Sequence, residues 1–234
     1  MDNLPLVLLH AFPLDSRMWD PIRPELAPIT PDLRGRGRTP DLAAFADDVL
    51  ELIEPLGRVI LGGCSMGGYA TMAVLRRAPE KIAGIVFADT RATADTPQAR
   101  ANRLVMADRV EAEGVGWVPD AVLPGLLGPD PTATAVAALR EIVLDQDPAE
   151  VAWAQRAMAR RPDSTEVLRG LDVPALVLVG AHDAVTPPDQ ARALAGLLPR
   201  ADYVELPDVG HLTPVEAPEA FAAAVRGWAQ RLPD

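Results

Sequence analysis

The chain is poor in cysteine and in basic residues, and each shortage removes a class of function. Cys64 is the only cysteine among 234 residues, so an intrachain disulfide is impossible, and we expect a reducing, cytoplasmic location. Only 22 basic residues stand against 33 acidic ones, which gives a net charge of −11. Because nucleic acids and anionic membrane surfaces repel such a chain, neither is an expected partner.

Long apolar runs are also missing. None approaches the roughly 18 residues that a membrane-spanning helix needs, so no transmembrane segment is predicted. The first ten residues, MDNLPLVLLH, have no basic segment before their short apolar run, which does not favour a signal peptide. Self-association into a homo-oligomer stays open.

Short apolar runs alternate with helical patterns at both ends of the chain, which predicts a parallel sheet flanked by helices. The candidate strands are residues 4–10, the weaker 27–33, 58–64, 82–89, 174–182 and 201–207. Between residues 90 and 171 strand patterns stop, and helices are predicted at 97–113, 133–145 and 148–161. The segment 115–130 has a loop-rich composition. We predict an α/β core of residues 1–90 and 171–234 with a helical cap inserted at 91–170.

The most specific motif is Gly63-Cys64-Ser65-Met66-Gly67, which matches G-x-S-x-G between a predicted strand and a predicted helix. A tight turn there forces the serine into a strained conformation and leaves room only for neighbours without side chains. It also puts the hydroxyl at a helix N-terminus, where free N–H groups favour developing negative charge. The motif predicts a nucleophilic Ser65, with a glycine-rich packing turn as the alternative. Cys64 alternates to the opposite face, so we expect a buried, inert thiol.

Three histidines, His10, His182 and His211, lie at or just after the carboxyl ends of predicted strands, the edge where ligand sites of open α/β sheets form. A serine nucleophile needs a base, and the base needs an orienting acid. The chain order nucleophile, acid, histidine favours Asp183 and His211, and makes His182 a neighbour of the acid loop. Asp89, at the end of the strand after the serine motif, remains a rival acid.

Five ordered segments resemble the α/β-hydrolase fold family of serine hydrolases, in particular small bacterial esterases and 3-oxoadipate enol-lactonase-like members. They are LLHAFPLDSRMW (8–19), PDLRGRGRT (31–39), GGCSMGGYAT (62–71), VPALVLVGAHDAVTPP (173–188) and LPDVGHLTPVEAPEAF (206–221). The resemblance implies Ser65 as nucleophile, His211 as general base and acid, and Asp183 as the orienting carboxylate. It places the oxyanion hole at the backbone N–H groups of Phe12 and Met66, and it implies no cofactor and no metal.

The same resemblance implies a mostly parallel sheet of about six strands, in which the family's N-terminal hairpin is truncated. The family's usual His-Gly pair is His10-Ala11 here. Alanine narrows the backbone angles allowed at that turn.

The expected activity is hydrolysis of a small to medium carboxylic ester or lactone through an acyl-enzyme on Ser65. Thioester hydrolysis, C–C bond hydrolysis and perhydrolysis on the same residues stay open, as does a ligand receptor without turnover. Candidates for the substrate pocket are Trp117, Trp153, Met106 and Leu123, with ordinary core packing as the alternative. Cap arginines that could bind a substrate carboxylate are Arg100, Arg103, Arg109, Arg140, Arg156, Arg160 and Arg161.

Overall fold

The computed structural model describes residues 4–35 and 37–232, so residues 1–3, 36 and 233–234 of the predicted core lie outside the described residues. The strands are β1 Leu6–Leu9, β2 Val59–Cys64, β3 Ile82–Ala88, β4 Ala175–Gly180 and β5 Ala201–Leu206. The helices before β4 are α1 Arg23–Leu26, α2 Ala43–Ile53, α3 Met66–Leu75, α4 Pro97–Glu113, α5 Val118–Leu126, α6 Ala133–Leu144, α7 Pro148–Arg160 and α8 Thr165–Arg169. Those after β4 are α9 Pro188–Ala195, α10 Thr213–Glu216 and α11 Pro218–Ala229, and 3₁₀ turns span Ser16–Ile22, Glu54–Leu56 and Pro79–Lys81.

The five strands form one parallel sheet whose spatial order is the chain order, β1-β2-β3-β4-β5. The expected sixth strand, at 27–33, is reduced to an isolated parallel bridge between Ile29 and Val7. Pro28 and Pro31 lie close on either side of Ile29 and have no N–H to donate, so the ladder cannot extend. The fold class is confirmed, with five strands and one isolated bridge among the described residues.

Both faces of the three central strands, β2, β3 and β4, are buried. Leu61 and Phe87 belong to an apolar layer that includes residues of α2, α3 and α9. Their neighbours Ile60 and Val86 point the other way, into a layer that includes the first 3₁₀ turn and α11. Because side chains alternate between two covered faces, β2, β3 and β4 are buried at every position and consist of apolar residues and glycine.

Helices α4 to α8 all lie between β3 and β4. The helices predicted at 97–113, 133–145 and 148–161 are confirmed as α4, α6 and α7, the last two ending one residue earlier than expected. The loop expected at 115–130 is wrong, because it contains α5. Val118, Val122 and Leu126 recur at steps of four on one helical face, and Pro119 lies in the first turn, where its missing N–H is not needed.

Across residues 4–35 and 37–232, no helix is both long enough and apolar enough to cross a membrane. The same residues contain no group of three or more histidine, cysteine or acidic side chains placed to hold a metal ion.

Candidate active site

Ser65 lies in a sharp turn between β2 and α3. Its backbone angles are φ 51° and ψ −108°, a region that residues other than glycine rarely occupy, so strain is stored at this position. A Cβ on Gly63 would lie 2.3 Å from the carbonyl carbon of Gly67, and one on Gly67 would lie 2.0 Å from the Leu9 oxygen. Only glycine fits at these two positions. The turn thus presents the Ser65 hydroxyl at the carboxyl end of the sheet.

Three side chains from separate loops form a continuous hydrogen-bonded chain. Ser65 Oγ lies 2.8 Å from His211 Nε2, and His211 Nδ1 lies 2.7 Å from Asp183 Oδ2. Asp183 follows β4 and His211 follows β5. Because an ionised carboxylate can only accept, Nδ1 carries the imidazole proton, and Nε2 accepts from the Ser65 hydroxyl. The structure brings together the three residues that chain order favours.

Thr186 orients the Asp183 carboxylate. Asp183 Oδ1 accepts from the N–H groups of Val185 and Thr186, both at 2.8 Å, and Oδ2 accepts from Thr186 Oγ1 at 2.7 Å. Burial acts to raise the pKa of Asp183, but the hydrogen bond and charge of His211, with the hydrogen bonds from Thr186, lower it overall. The carboxylate therefore faces the imidazole in its ionised form. The sequence analysis missed Thr186, although its spacing, three residues after an aspartate, is a local signal for such a turn.

The rival acid Asp89 is buried close to the same loop, but its hydrogen bonds go elsewhere. Its Oδ2 accepts from Thr213 N–H at 3.0 Å and from Thr213 Oγ1 at 2.7 Å, and its Oδ1 accepts from Gly180 N–H at 3.2 Å. Burial raises the pKa of Asp89 to about 7, although the charge of His211 and the bonds from Thr213 act to lower it. This geometry makes Asp183 the partner of the imidazole, and Asp89 an anchor for the chain just after His211.

Cys64 is buried beside Asp89. Its Sγ lies 3.6 Å from Asp89 Oδ2 and 3.7 Å from the backbone oxygen of His211. Burial, followed by the charge of Asp89, raises the pKa of the Cys64 thiol. Because the thiolate is the reactive form of cysteine, this environment favours the inert thiol that strand alternation predicts.

The other two histidines do not join the chain of hydrogen bonds. His10 Nε2 accepts from Leu33 N–H at 2.9 Å, so its proton is on Nδ1, which contacts Ala11 O at 3.1 Å. Burial lowers the pKa of His10 and keeps the imidazole neutral. The His182 side chain is 52% exposed and lies 3.8 Å from Asp208. His10 thus fixes the loop after β1, and His182 lies at the surface.

The two backbone groups expected to form the oxyanion hole lie on fixed segments. Phe12 follows Ala11, whose N–H donates to Met18 Sδ at 3.1 Å. Met66 is the first residue of α3, and its N–H therefore has no partner within the helix. The role of both groups stays a prediction.

Trp153, one of the predicted pocket residues, packs against the core. Its Nε1 donates to Arg38 O at 2.8 Å, and its ring centroid lies 4.8 Å from that of Phe45. A Cβ on Gly35 would lie 2.3 Å from the Trp153 ring. These contacts favour the packing interpretation of Trp153.

The other pocket candidates belong to one apolar layer. The Arg109 guanidinium lies 3.8 Å from the Trp117 ring centroid. Met106 Sδ accepts from Gln155 Nε2 at 2.9 Å, and Leu123 is buried in α5. Their part in a substrate pocket stays a prediction.

The cap arginines bond to groups of the protein. Arg103 and Arg161 share the buried carboxylate of Asp95 with Arg91, so three positive charges surround one negative charge. The remaining pairs are Arg100 with Ala159 O, Arg109 with Glu113, Arg140 with Asp120, Arg156 with Asp108 and Glu111, and Arg160 with Pro40 O. Recognition of a substrate carboxylate by one of these arginines stays a prediction.

Comparison with known proteins gives consistent matches over almost the whole chain. A family model described as the alpha/beta hydrolase family matches residues 6–224. A thermophilic esterase from Thermogutta terrifontis, solved with malate bound, is 39% identical with a TM-score of 0.90, over 97% of this chain and 90% of that one. The enol-lactonase from Burkholderia xenovorans LB400 is 28% identical with a TM-score of 0.85, over 98% and 92%. A pimeloyl-[acyl-carrier protein] methyl ester esterase of Neisseria meningitidis serogroup B is 27% identical over 95% of this chain and 92% of its own length.

Proposed function

The chain belongs to the alpha/beta hydrolase family, and we propose that it is a serine hydrolase that cleaves small to medium carboxylic esters or lactones. Its similarity to proteins named esterases and enol-lactonase supports a hydrolase of this class. The observation that carries the proposal is the hydrogen-bonded chain Ser65–His211–Asp183, with separations of 2.8 and 2.7 Å. This is the arrangement that a serine nucleophile, its base and an orienting acid require.

In the first step, His211 Nε2 takes the Ser65 proton while Ser65 Oγ bonds to the carbonyl carbon of the substrate. The electron pair of the carbonyl π bond moves to its oxygen. The N–H groups of Phe12 and Met66 stabilise that oxyanion, and this stabilisation is usually the largest single contribution to catalysis. The ionised Asp183 stabilises the imidazolium that forms on His211.

In the second step, the imidazolium of His211 protonates the leaving alkoxide as its C–O bond breaks, which leaves an acyl group on Ser65. His211 then removes a proton from water, and the resulting attack forms a second tetrahedral intermediate. Its collapse returns the proton to Ser65 and releases the carboxylic acid. Asp183 holds the same imidazole nitrogen in both half-reactions.

Residues 91–170, with α4 to α8, form the cap that limits which acyl groups reach Ser65. Ser65 is 9% exposed and Met66 is 2% exposed, so a substrate must enter through a narrow opening. Trp117, Met106 and Leu123 are the cap residues assigned to this opening, whereas the contacts of Trp153 with Arg38 and Phe45 favour core packing.

Substitution Ser65→Ala tests the assignment. It removes the nucleophile and is expected to lower kcat for a p-nitrophenyl ester by about 10⁶-fold, while circular dichroism stays that of the parent protein. Retained turnover would contradict the proposal. A panel of p-nitrophenyl esters of increasing chain length, lactones and thioesters, each measured with the parent and Ser65→Ala proteins, identifies the substrate class. Ester or lactone turnover that exceeds thioester turnover supports the class proposed here.

A further inference from the structure

The loop that carries His211 is attached to the end of helix α5. The backbone N–H of His211 donates to the oxygen of Leu126, the last residue of α5, at 2.8 Å. Two residues further on, Gly128 N–H donates to Glu216 Oε2 at 2.6 Å. Glu216 is the last residue of α10, the short helix that directly follows the His211 loop.

Glu216 also holds the loop itself. Its Oε2 accepts from Gly210 N–H at 3.3 Å, and its Oε1 accepts from Leu212 N–H at 3.1 Å. These are the residues immediately before and after His211. One carboxylate therefore joins both flanks of His211 to Gly128, and hydrogen bonds to a charged acceptor are stronger than those to a neutral one.

The two backbones that Glu216 joins are in direct contact. A Cβ on Gly210 would lie 2.4 Å from Gly128 N, and a Cβ on Gly128 would lie 2.9 Å from Gly210 N and 3.1 Å from Glu216 Oε2. Because neither glycine leaves room for a side chain, a shift of the α5 end moves the His211 loop with it. The loop and the end of α5 form one rigid unit.

We propose that Glu216 is a positioning residue for the reaction: it fastens the His211 loop to the end of α5 and so keeps the imidazole between Asp183 and Ser65. This inference rests on the proposed function. A misplacement of about 1 Å in a reacting group can lower a rate by about 100-fold. Since His211 must also protonate the departing alkoxide, the loss falls most heavily on esters whose leaving group cannot depart without a proton.

The test is Glu216→Gln, measured on an ethyl ester and a p-nitrophenyl ester of the same acid. Glutamine keeps one accepting oxygen but turns an amide N–H₂ toward backbone donors. Because kcat/KM reports acylation for both esters, the leaving group is the only difference between them. We expect kcat/KM for the ethyl ester to fall by about 10- to 100-fold, and that for the p-nitrophenyl ester to fall several-fold less. An equal loss on both esters overturns the inference, because fewer folded molecules lower both rates alike.

Two further variants make the outcome decisive. Glu219→Gln removes an exposed carboxylate in the first turn of α11 and is expected to leave both rates unchanged. Gly128→Ala pushes the α5 end away from Glu216 without changing charge, and is expected to shift the ratio of the two rates in the same direction as Glu216→Gln. Labelling with an organophosphate ester counts the reactive serines in each preparation. If Ser65→Ala abolishes turnover while Glu216→Gln leaves the ratio unchanged, this inference fails and the proposed function stands.

Discussion

The ends of β3 and β4 are neighbours in the sheet, and each carries a buried aspartate with opposite acid–base properties. Asp89 is 0% exposed and Asp183 3% exposed, and burial acts to raise the pKa of both carboxyls. The pKa of Asp89 is raised to about 7, whereas that of Asp183 is lowered. Asp183 bonds to the imidazole of His211, and Asp89 bonds to neutral donors. The comparison shows that the hydrogen bonds and charge around Asp183 outweigh the effect of its burial, whereas those around Asp89 do not.

Among the changes that test this comparison, Asp183→Asn is expected to have the largest effect. The amide offers its own N–H₂ to the imidazole and favours the tautomer that cannot accept the Ser65 proton, so kcat should fall by about 10⁴-fold. Steady-state kinetics with a p-nitrophenyl ester measure this loss. A fall of less than tenfold would show that Asp89, or no acid at all, supports the base.

A smaller effect is expected from Asp89→Asn, and it concerns stability. The amide loses an acceptor for the Thr213 N–H and hydroxyl groups, and leaving such a buried group unsatisfied costs about 1–3 kcal/mol. We expect kcat to change far less than in Asp183→Asn, because the bond between His211 and Asp183 remains.

The stability difference between the parent protein and Asp89→Asn should depend on pH. A carboxyl whose pKa is raised on folding binds its proton preferentially in the folded state, so its contribution to the free energy of unfolding is lost as pH rises from about 4 to 7. The free energy of unfolding falls by at most about 1.4 kcal/mol per pH unit through this group. Asparagine does not titrate, so the variant has no such loss. Urea unfolding of both proteins at pH 5 and pH 7 should therefore give a smaller difference at pH 7. The same difference at both values would contradict the raised pKa.

The smallest effect is expected from Cys64→Ala. The thiol touches Asp89 and the backbone of His211 but takes no part in the chemistry proposed, so kcat should stay within about twofold of the parent value. Loss of the buried sulfur should lower the free energy of unfolding by about 1 kcal/mol. A large loss of turnover at unchanged stability would restore Cys64 as a candidate nucleophile.

The residues of the candidate site could be predicted from the sequence because they depend on local rules. The G-x-S-x-G pattern follows from the steric limits of one turn, and the strand ends of a parallel sheet meet at one edge. Ser65, Asp183 and His211 could therefore be named together although they are far apart in the chain. Chain order already favoured Asp183 over Asp89, and the structure adds that Thr213 and Gly180 are the partners of Asp89.

The environment of His211 could not be predicted from the sequence, for a different reason. Pro119, Pro124 and Gly125 gave the α5 segment the composition of a loop, and the contacts of Leu126 with the His211 loop override that local tendency. Glu216 bonds to backbone N–H groups of two segments that are far apart from each other in the sequence, the end of α5 and the His211 loop. Every residue except proline has a backbone N–H group. No residue type in the sequence marks such a partner in advance.

The strand order has a consequence for how the protein folds during its synthesis. Because each strand pairs with the one made just before it, the sheet can grow from one edge as the chain leaves the ribosome, N-terminus first. Ser65 is placed once β2 and α3 have formed, but His211 follows β5 and is translated later than every strand of the sheet. A half-made chain thus holds its strained serine without a base. By this order of assembly, the catalytic site of the proposed hydrolase is incomplete during synthesis. The protein becomes active only when β5 has joined the sheet.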